Sequence, residues 1–211
     1  MRCVIICGSP DCDFELIKAT VRQDDYVICA DKGYSHAKKA GINPHLIVGD
    51  FDSYTDNDLP ECEIIKLDVH KDDTDTMHAI DVAIERGYRE FVLLAAMGGR
   101  FDHTFANVSI LQYLSINACT GLILTPNEKI LYLPEGEYSF TNYKNKTFSL
   151  FPFACEKVCV TYKGTQYKAK ELVLTSHFPM GVSNVFDDEN SSVKICYGNA
   201  IIIINLSNEN N

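Results

Sequence analysis

Apolar and polar positions along the chain fall into two textures that meet at about residue 127. Over the first ~125 residues, short apolar runs alternate with stretches of helical period, the signature of a parallel α/β sheet. The runs Cys3–Cys7, Tyr26–Ala30, Leu46–Val48, Ile64–Leu67, Phe91–Ala95 and Leu122–Leu124 read as strands. Stretches near Asp13–Arg22, Ser35–Ala40, Thr74–Arg86 and His103–Ser115 read as helices. The third carries the plainest signals. Thr74 can cap it, Met77, Ile80 and Ile84 recur at i, i+3 and i+7, and Gly87 supplies a stop.

After Thr125-Pro126-Asn127 the helical period disappears. Short β-rich runs, among them Thr147–Phe151, Lys157–Tyr162, Glu171–Thr175, Ser192–Tyr197 and Ala200–Ile204, alternate with turn residues such as Tyr162-Lys163-Gly164-Thr165 and Tyr197-Gly198-Asn199. The pattern predicts a mostly parallel α/β domain over residues 1–127 and a smaller all-β sandwich over 128–211.

Composition narrows the function classes. A net charge of −10 argues against a nucleic-acid binder, which needs clustered Lys and Arg. It leaves room for a nucleotide, because carboxylates can hold a metal that carries the phosphates. The nine cysteines form no Cys-x-x-Cys pair, and Cys3, Cys7, Cys29, Cys159 and Cys196 sit in apolar runs. They read as reduced core residues. No apolar run approaches a membrane span, and Met1-Arg2 leads straight into a strand-like run, so a cytoplasmic protein is expected.

The aspartates carry the chemical information. Ligands of parallel sheets bind at the carboxyl ends of the strands, and four groups of acids fall there. Asp31 follows Tyr26–Ala30, and Asp50 and Asp52 follow Leu46–Val48 in Gly49-Asp50-Phe51-Asp52-Ser53. Asp72, Asp73 and Asp75 come after Ile64–Leu67 at the start of the best helix, and Asp102 follows Phe91–Ala95 in Gly98-Gly99-Arg100-Phe101-Asp102-His103. Singly, such residues are explained as helix N-terminal charges or Asx turns. Together they repel unless a cation compensates, and a hard divalent ion, Mg²⁺ first, suits oxygen ligands. Gly98-Gly99 lets the backbone approach a ligand, Arg100 has the planar fork that fits phosphate oxygens, and Lys71 adds a second cation. These are the parts that stabilise a transferring phosphoryl group. No GxxxxGK[ST] loop is present, so a P-loop kinase is excluded.

Several motifs resemble thiamine pyrophosphokinase. They are Ala30-Asp31-Lys32-Gly33, Gly41-Ile42-Asn43-Pro44-His45-Leu46-Ile47-Val48-Gly49-Asp50-Phe51-Asp52-Ser53, Lys71-Asp72-Asp73-Thr74-Asp75 and Gly98-Gly99-Arg100-Phe101-Asp102-His103-Thr104-Phe105-Ala106-Asn107. Gly181-Val182-Ser183-Asn184-Val185-Phe186 is similar to that family's thiamine-binding segment. The resemblance implies an α/β catalytic domain that takes ATP and Mg²⁺, a β-sandwich, and a homodimer with thiamine between subunits. It implies transfer of diphosphate from ATP to the thiamine hydroxyl, giving thiamine diphosphate and AMP.

Carried over by position, the resemblance makes Asp31, Asp50, Asp52 and Asp75 the metal and catalytic carboxylates, with Mg²⁺ on Asp50, Asp52 and Asp75. Lys71, Thr74, Gly99 and Arg100 would meet the ATP phosphates, and Asp102 would support them. Ser183 and Asn184 would contact thiamine. Tyr167 occupies the place where some members have a Trp, and Phe178 is a second aromatic near the same segment; the chain has no Trp. Lys32 stands where a Gly is usual. The chemistry alone leaves a hydroxymethylpterin acceptor, a metal-dependent phosphohydrolase and a nucleotide or thiamine sensor open.

Overall fold

The computed structural model describes residues 1–50, 61–68 and 73–207. The chain divides into two units, Met1–Thr125 and Pro126–Asn211. The first contains β1 (Arg2–Ile6), α1 (Phe14–Thr20), β2 (Tyr26–Ala30), α2 (Gly33–Ala40) and β3 (Leu46–Gly49). It continues with β4 (Glu63–Lys66), α3 (Asp75–Glu85), β5 (Glu90–Leu94), α4 (Phe101–Ile116) and β6 (Thr120–Leu124).

The strands of this unit lie in the order β6-β5-β1-β2-β3-β4, and every pairing between them is parallel. A strand covered on both faces has to be apolar throughout. β1 meets that demand, since Cys3, Val4, Ile5 and Ile6 are all fully buried. Successive strands step outward from β1 to β4, and the chain then returns to the other side of β1 for β5 and β6. The order therefore reverses between β1 and β5, which opens a crevice at their carboxyl ends.

Local chemistry sets the helices. Asp13 caps α1 by accepting the Leu16 N–H at 2.8 Å, and Thr74 caps α3 by accepting the Met77 N–H at 3.1 Å. Gly41, at φ 71°, ends α2 in the left-handed conformation. The buried stripe of α3 is Thr76, Ala79, Ile80 and Ala83 rather than the expected Met77, Ile80 and Ile84. Small side chains let the helix lie close on β1, β2 and β3. Helix α4 begins at Phe101, earlier than the expected His103, because the Thr104 N–H already bonds to the Arg100 carbonyl at 3.2 Å. Strand β4 lies at the sheet's edge and is mostly exposed.

The second unit is all β: β7 (Glu128–Leu133), β8 (Gly136–Thr141), β9 (Thr147–Pro152), β10 (Lys157–Lys163), β11 (Ala169–Thr175), β12 (Asn184–Val185), β13 (Asn190–Tyr197) and β14 (Ala200–Asn205). One sheet runs β11-β10-β13-β8, and the other contains β12-β9-β14-β7, with antiparallel pairings throughout. Inward residues of both sheets form one core around Phe140, Phe148, Phe186, Val160, Ile195 and Ile202. Phe186 stacks on Phe148 at 4.4 Å and on Phe140 at 5.1 Å between ring centroids. Burying each such ring contributes roughly 2–3 kcal/mol.

All nine cysteines are free, and Cys3, Cys7, Cys29, Cys119 and Cys159 are buried. Burial pushes the Cys7 thiol up to about 12, which makes it an inert core residue. Among the described residues no helix is long and apolar enough to cross a membrane.

Candidate active site at the carboxyl edge of the parallel sheet

Strand direction decides which side chains meet. Because the strands are parallel, the residues that follow β1, β2, β3 and β5 all emerge on one edge. Asp31 leaves β2 in a left-handed conformation, φ 46°, that only a stabilised position tolerates in a non-glycine residue. Its N–H donates to the Val48 carbonyl at 2.9 Å, and its own carbonyl accepts the Tyr34 N–H at 3.2 Å. Two glycines make room. A Cβ on Gly49 would lie 3.2 Å from the Asp31 Cα, and one on Gly33 would lie 1.9 Å from the Ile6 carbonyl oxygen. Lys32 is accommodated at the start of α2 because Gly8 faces its Cβ.

Asp31, Asp50 and Asp75 lie within one another's electrostatic reach. Burial raises the Asp31 pKa first, and the carboxylates of Asp75 and Asp50 raise it further; the Lys32 N–H and ammonium act the other way. Two carboxylates acting on a third, half-buried one are the donor chemistry of a hard divalent cation. The fit is one of ligand type. Among the described residues no three His, Cys, Asp or Glu side chains are already arranged around one point. Asp52, Lys71 and Asp72 lie outside the described residues.

The glycine turn is tied to the loop that follows β1. The Cys7 N–H donates to the Leu94 carbonyl at 2.9 Å and the Ser9 N–H to the Ala95 carbonyl at 3.0 Å. The Ser9 hydroxyl donates to the Met97 carbonyl. The Gly99 N–H donates to Asp11 Oδ2 at 3.3 Å, and the Gly98 N–H to Thr104 Oγ1 at 3.1 Å. Gly98 and Gly99 sit at φ 102° and 65°, and a Cβ on Gly98 would stand 2.2 Å from Asp11 Oδ2. The Asn107 amide, buried, donates to the Ala96 carbonyl at 2.7 Å. On the far side of the loop, His36 Nε2 lies 2.9 Å from the Ser9 carbonyl oxygen.

Arg100 projects into solvent with its fork on Asp102. Nε donates to Oδ1 at 3.1 Å and Nη2 to Oδ2 at 2.6 Å. The guanidinium, with the His103 N–H, holds the Asp102 carboxyl below its usual range. Asp102 therefore keeps an exposed cation oriented at the turn. Sequence reasoning singled out Gly99, Arg100 and Asp102 and did not single out Ser9, Asp11 or His36, whose hydrogen bonds tie the loop after β1 together and to the turn. The one available signal was the turn-forming Gly8-Ser9-Pro10-Asp11 directly after the most apolar strand.

In the second unit Ser183, Asn184 and Tyr167 come together. Ser183 is exposed and left-handed at φ 59°, with its N–H donating to Ser149 Oγ at 3.2 Å. Gly181 is required beside it, since a Cβ there would meet the Leu150 carbonyl oxygen at 2.0 Å. Asn184 is buried, and its amide binds the backbone of Tyr167 on both sides. The Tyr167 ring is 63% exposed, as are Phe178, Met180 and Val182 to 62%, 50% and 51%. A cavity of about 630 Å³ elsewhere in this unit is lined by Lys163, Lys168, Lys170 and Lys194 and by none of the expected site residues. Lys170 among them lies on the edge strand β11, where a charge discourages pairing with another chain.

Comparison with known proteins covers both units. The profile for the thiamin pyrophosphokinase catalytic domain matches residues 17–122, and that for the thiamin pyrophosphokinase vitamin B1 binding domain matches residues 132–202. A thiamine pyrophosphokinase of Bacillus subtilis is 30% identical over 183 residues, covering 83% of this chain and 85% of its own. The crystal structure of thiamine pyrophosphokinase from Bacillus subtilis superposes with a TM-score of 0.88 at 23% identity, covering 98% of this chain and 100% of that one. The thiamin pyrophosphokinase from Candida albicans gives 0.78 at 16% identity, over 98% of this chain and 89% of its own.

Proposed function

The chain belongs to the thiamine pyrophosphokinase family and is an ATP-dependent diphosphotransferase, and we propose how its residues move diphosphate from ATP to thiamine. The observation that carries the reading is that Asp50 and Asp75 act on Asp31 at the carboxyl edge of the sheet, the edge from which the Gly98-Gly99-Arg100 turn also leaves.

ATP lies along that edge. Asp31 is on the nucleotide side, and Thr74, Gly99 and Arg100, with Lys71 of the same motif, would contact the phosphates. Asp50, Asp52 and Asp75 would hold Mg²⁺, which when bound neutralises charge on the phosphate oxygens. The thiamine hydroxyl oxygen attacks the β-phosphorus in line, and the bond from that phosphorus to the oxygen bridging it to the α-phosphate breaks, so AMP leaves. Asp75 orients the hydroxyl and takes its proton. Arg100, pre-aimed by Asp102, turns its fork to the transferring group. Positioning dominates such a reaction, which needs no covalent intermediate on the protein. Ser183, Asn184 and Tyr167 form the thiamine end. We infer a cytoplasmic homodimer with thiamine at the subunit interface, without nucleic-acid or membrane partners.

A single assay tests the reading. Incubation with ATP, Mg²⁺ and thiamine should give AMP and thiamine diphosphate in equal amounts, with no AMP when thiamine is omitted. A hydroxymethylpterin that replaces thiamine, or phosphate released without any acceptor, overturns it. Asp75→Asn should abolish turnover while the circular dichroism spectrum stays that of the parent. Near-normal turnover in that variant removes Asp75 from its role.

A further inference from the structure

We propose that Asn184 is a positioning residue for the acceptor: its amide fastens the peptide of Tyr167, so that an exposed aromatic ring is presented at a fixed angle to the flat ring of the substrate. The inference rests on the reading of Ser183, Asn184 and Tyr167 as the thiamine end, and it gives Asn184 a different task from direct contact.

The geometry leaves the amide little to offer a ligand. Asn184 is 6% exposed. Its Oδ1 accepts the Tyr167 N–H at 3.0 Å and the Val185 N–H at 2.8 Å, which occupies both lone pairs. Its Nδ2 donates to the Tyr167 carbonyl at 2.9 Å. One side chain thus grips both ends of a single residue's backbone, as a neighbouring strand would. The rest of the loop is anchored to the same short strand. The Gln166 N–H donates to the Val185 carbonyl at 2.9 Å, Thr165 bridges to Phe186, and Thr165 Oγ1 donates to the Tyr167 carbonyl at 3.1 Å.

The anchor itself is rigid. Asn184 pairs with Phe148 across β9, and Phe186 two residues on is fully buried against Phe148 and Phe140. The Tyr167 ring, in contrast, is 63% exposed. Fixing the backbone of a largely exposed side chain reduces what an arriving aromatic ligand must immobilise. The segment leading into Asn184 adds Met180 and Val182, both half exposed, to the same apolar end.

A double-mutant cycle on the full enzyme tests this, read as kcat/KM for thiamine. Tyr167→Ala and Asn184→Ala should each lower it by roughly tenfold, the scale of one well-placed neutral contact. The double variant should lose about tenfold as well, rather than the ~100-fold of two independent contacts. KM for ATP should not move in any of them. The chain has no Trp, so Tyr167→Trp supplies a unique fluorophore at the loop. Adding Asn184→Ala to that background should lower its anisotropy and weaken quenching by thiamine. If Asn184→Ala fails to fold, Asn184→Asp replaces it in the cycle, since it keeps the acceptor bonds and loses the donor to the Tyr167 carbonyl.

Additive losses, or an anisotropy unchanged by the substitution at 184, overturn the positioning role and leave the thiamine reading intact. A Tyr167→Ala variant with unaltered thiamine kinetics overturns the assignment of this end as the acceptor site, and the positioning role with it.

Discussion

Substituting Gly98 by Ala tests the packing of the phosphate-side turn in numbers. A Cβ at this position would stand 2.2 Å from Asp11 Oδ2 and 2.7 Å from Asp11 Cβ and Cγ, on a backbone at φ 102°. Holding a non-glycine residue in such a conformation costs about 1–3 kcal/mol. Forcing the overlap costs about 1–3 kcal/mol more. The sum centres on about 4 kcal/mol, of which roughly half is steric. Asp11 is exposed, and truncating it to Ala removes the overlaps with Oδ2 and Cγ but leaves the one with Cβ. Asp11→Ala should therefore recover about 1 kcal/mol in the Gly98→Ala background while costing well under 1 kcal/mol alone, through the long Gly99 N–H bond. Urea unfolding monitored by circular dichroism reads both effects as midpoint shifts at constant slope. Steady-state kinetics supply the functional side. A turn displaced by ~1 Å should lower kcat/KM for ATP by about a hundredfold. Parental stability and ATP kinetics in Gly98→Ala, or an Asp11→Ala change that simply adds to it, would refute the packing argument.

Two further substitutions probe charge. The folded-state pKa of Asp31 lies above its unfolded value, through burial first and then Asp75 and Asp50. Stability linked to this group is therefore present below the unfolded pKa and lost as pH rises through the folded one. Asp31→Asn should accordingly raise the Tm of EDTA-treated protein at pH 7, with the gain shrinking towards pH 4, while turnover falls; a lower Tm at pH 7 contradicts the sign. Asp25 behaves oppositely. Burial raises its pKa, but the Arg2 fork at 2.7 and 2.5 Å and the Arg22 N–H outweigh that and leave it lowered. Its contribution is present above the unfolded pKa and lost as pH falls through the folded one, and Asp25→Ala, which strands Arg2, should cost about 3 kcal/mol by urea unfolding at pH 7. A loss under 1 kcal/mol would show that Arg2 re-solvates freely.

The acidic edge was legible because Asp31 and Asp50 follow runs too apolar to be anything but buried strands, and parallel strands send their ends the same way. Asp11 was not legible. Its meeting with Gly98-Gly99 depends on β1 and β5 being neighbours, and strand order is set by tertiary packing that no local pattern records. Asn184 illustrates a different limit. An amide that binds a ligand and an amide that binds a peptide have the same composition and the same place in the chain, and burial alone separates them. The α3 stripe was misread because alanines carry weak hydrophobic signal yet allow the closest approach to a sheet. Asp52 and Lys71, which lie outside the described residues, rest on the motif.

The contact between His36 and the Ser9 carbonyl has a further consequence. A carbonyl oxygen can only accept, so Nε2 must carry the proton and Nδ1 is left as a bare lone pair, buried and without a partner among the described residues. Burial, with the nearby Lys39 ammonium, lowers the pKa of this imidazole. A second proton would be placed where no oxygen waits for it. The ring is thus biased towards its neutral form, and the loop it props beside the glycine turn responds less to acidification than one held by a solvated imidazole.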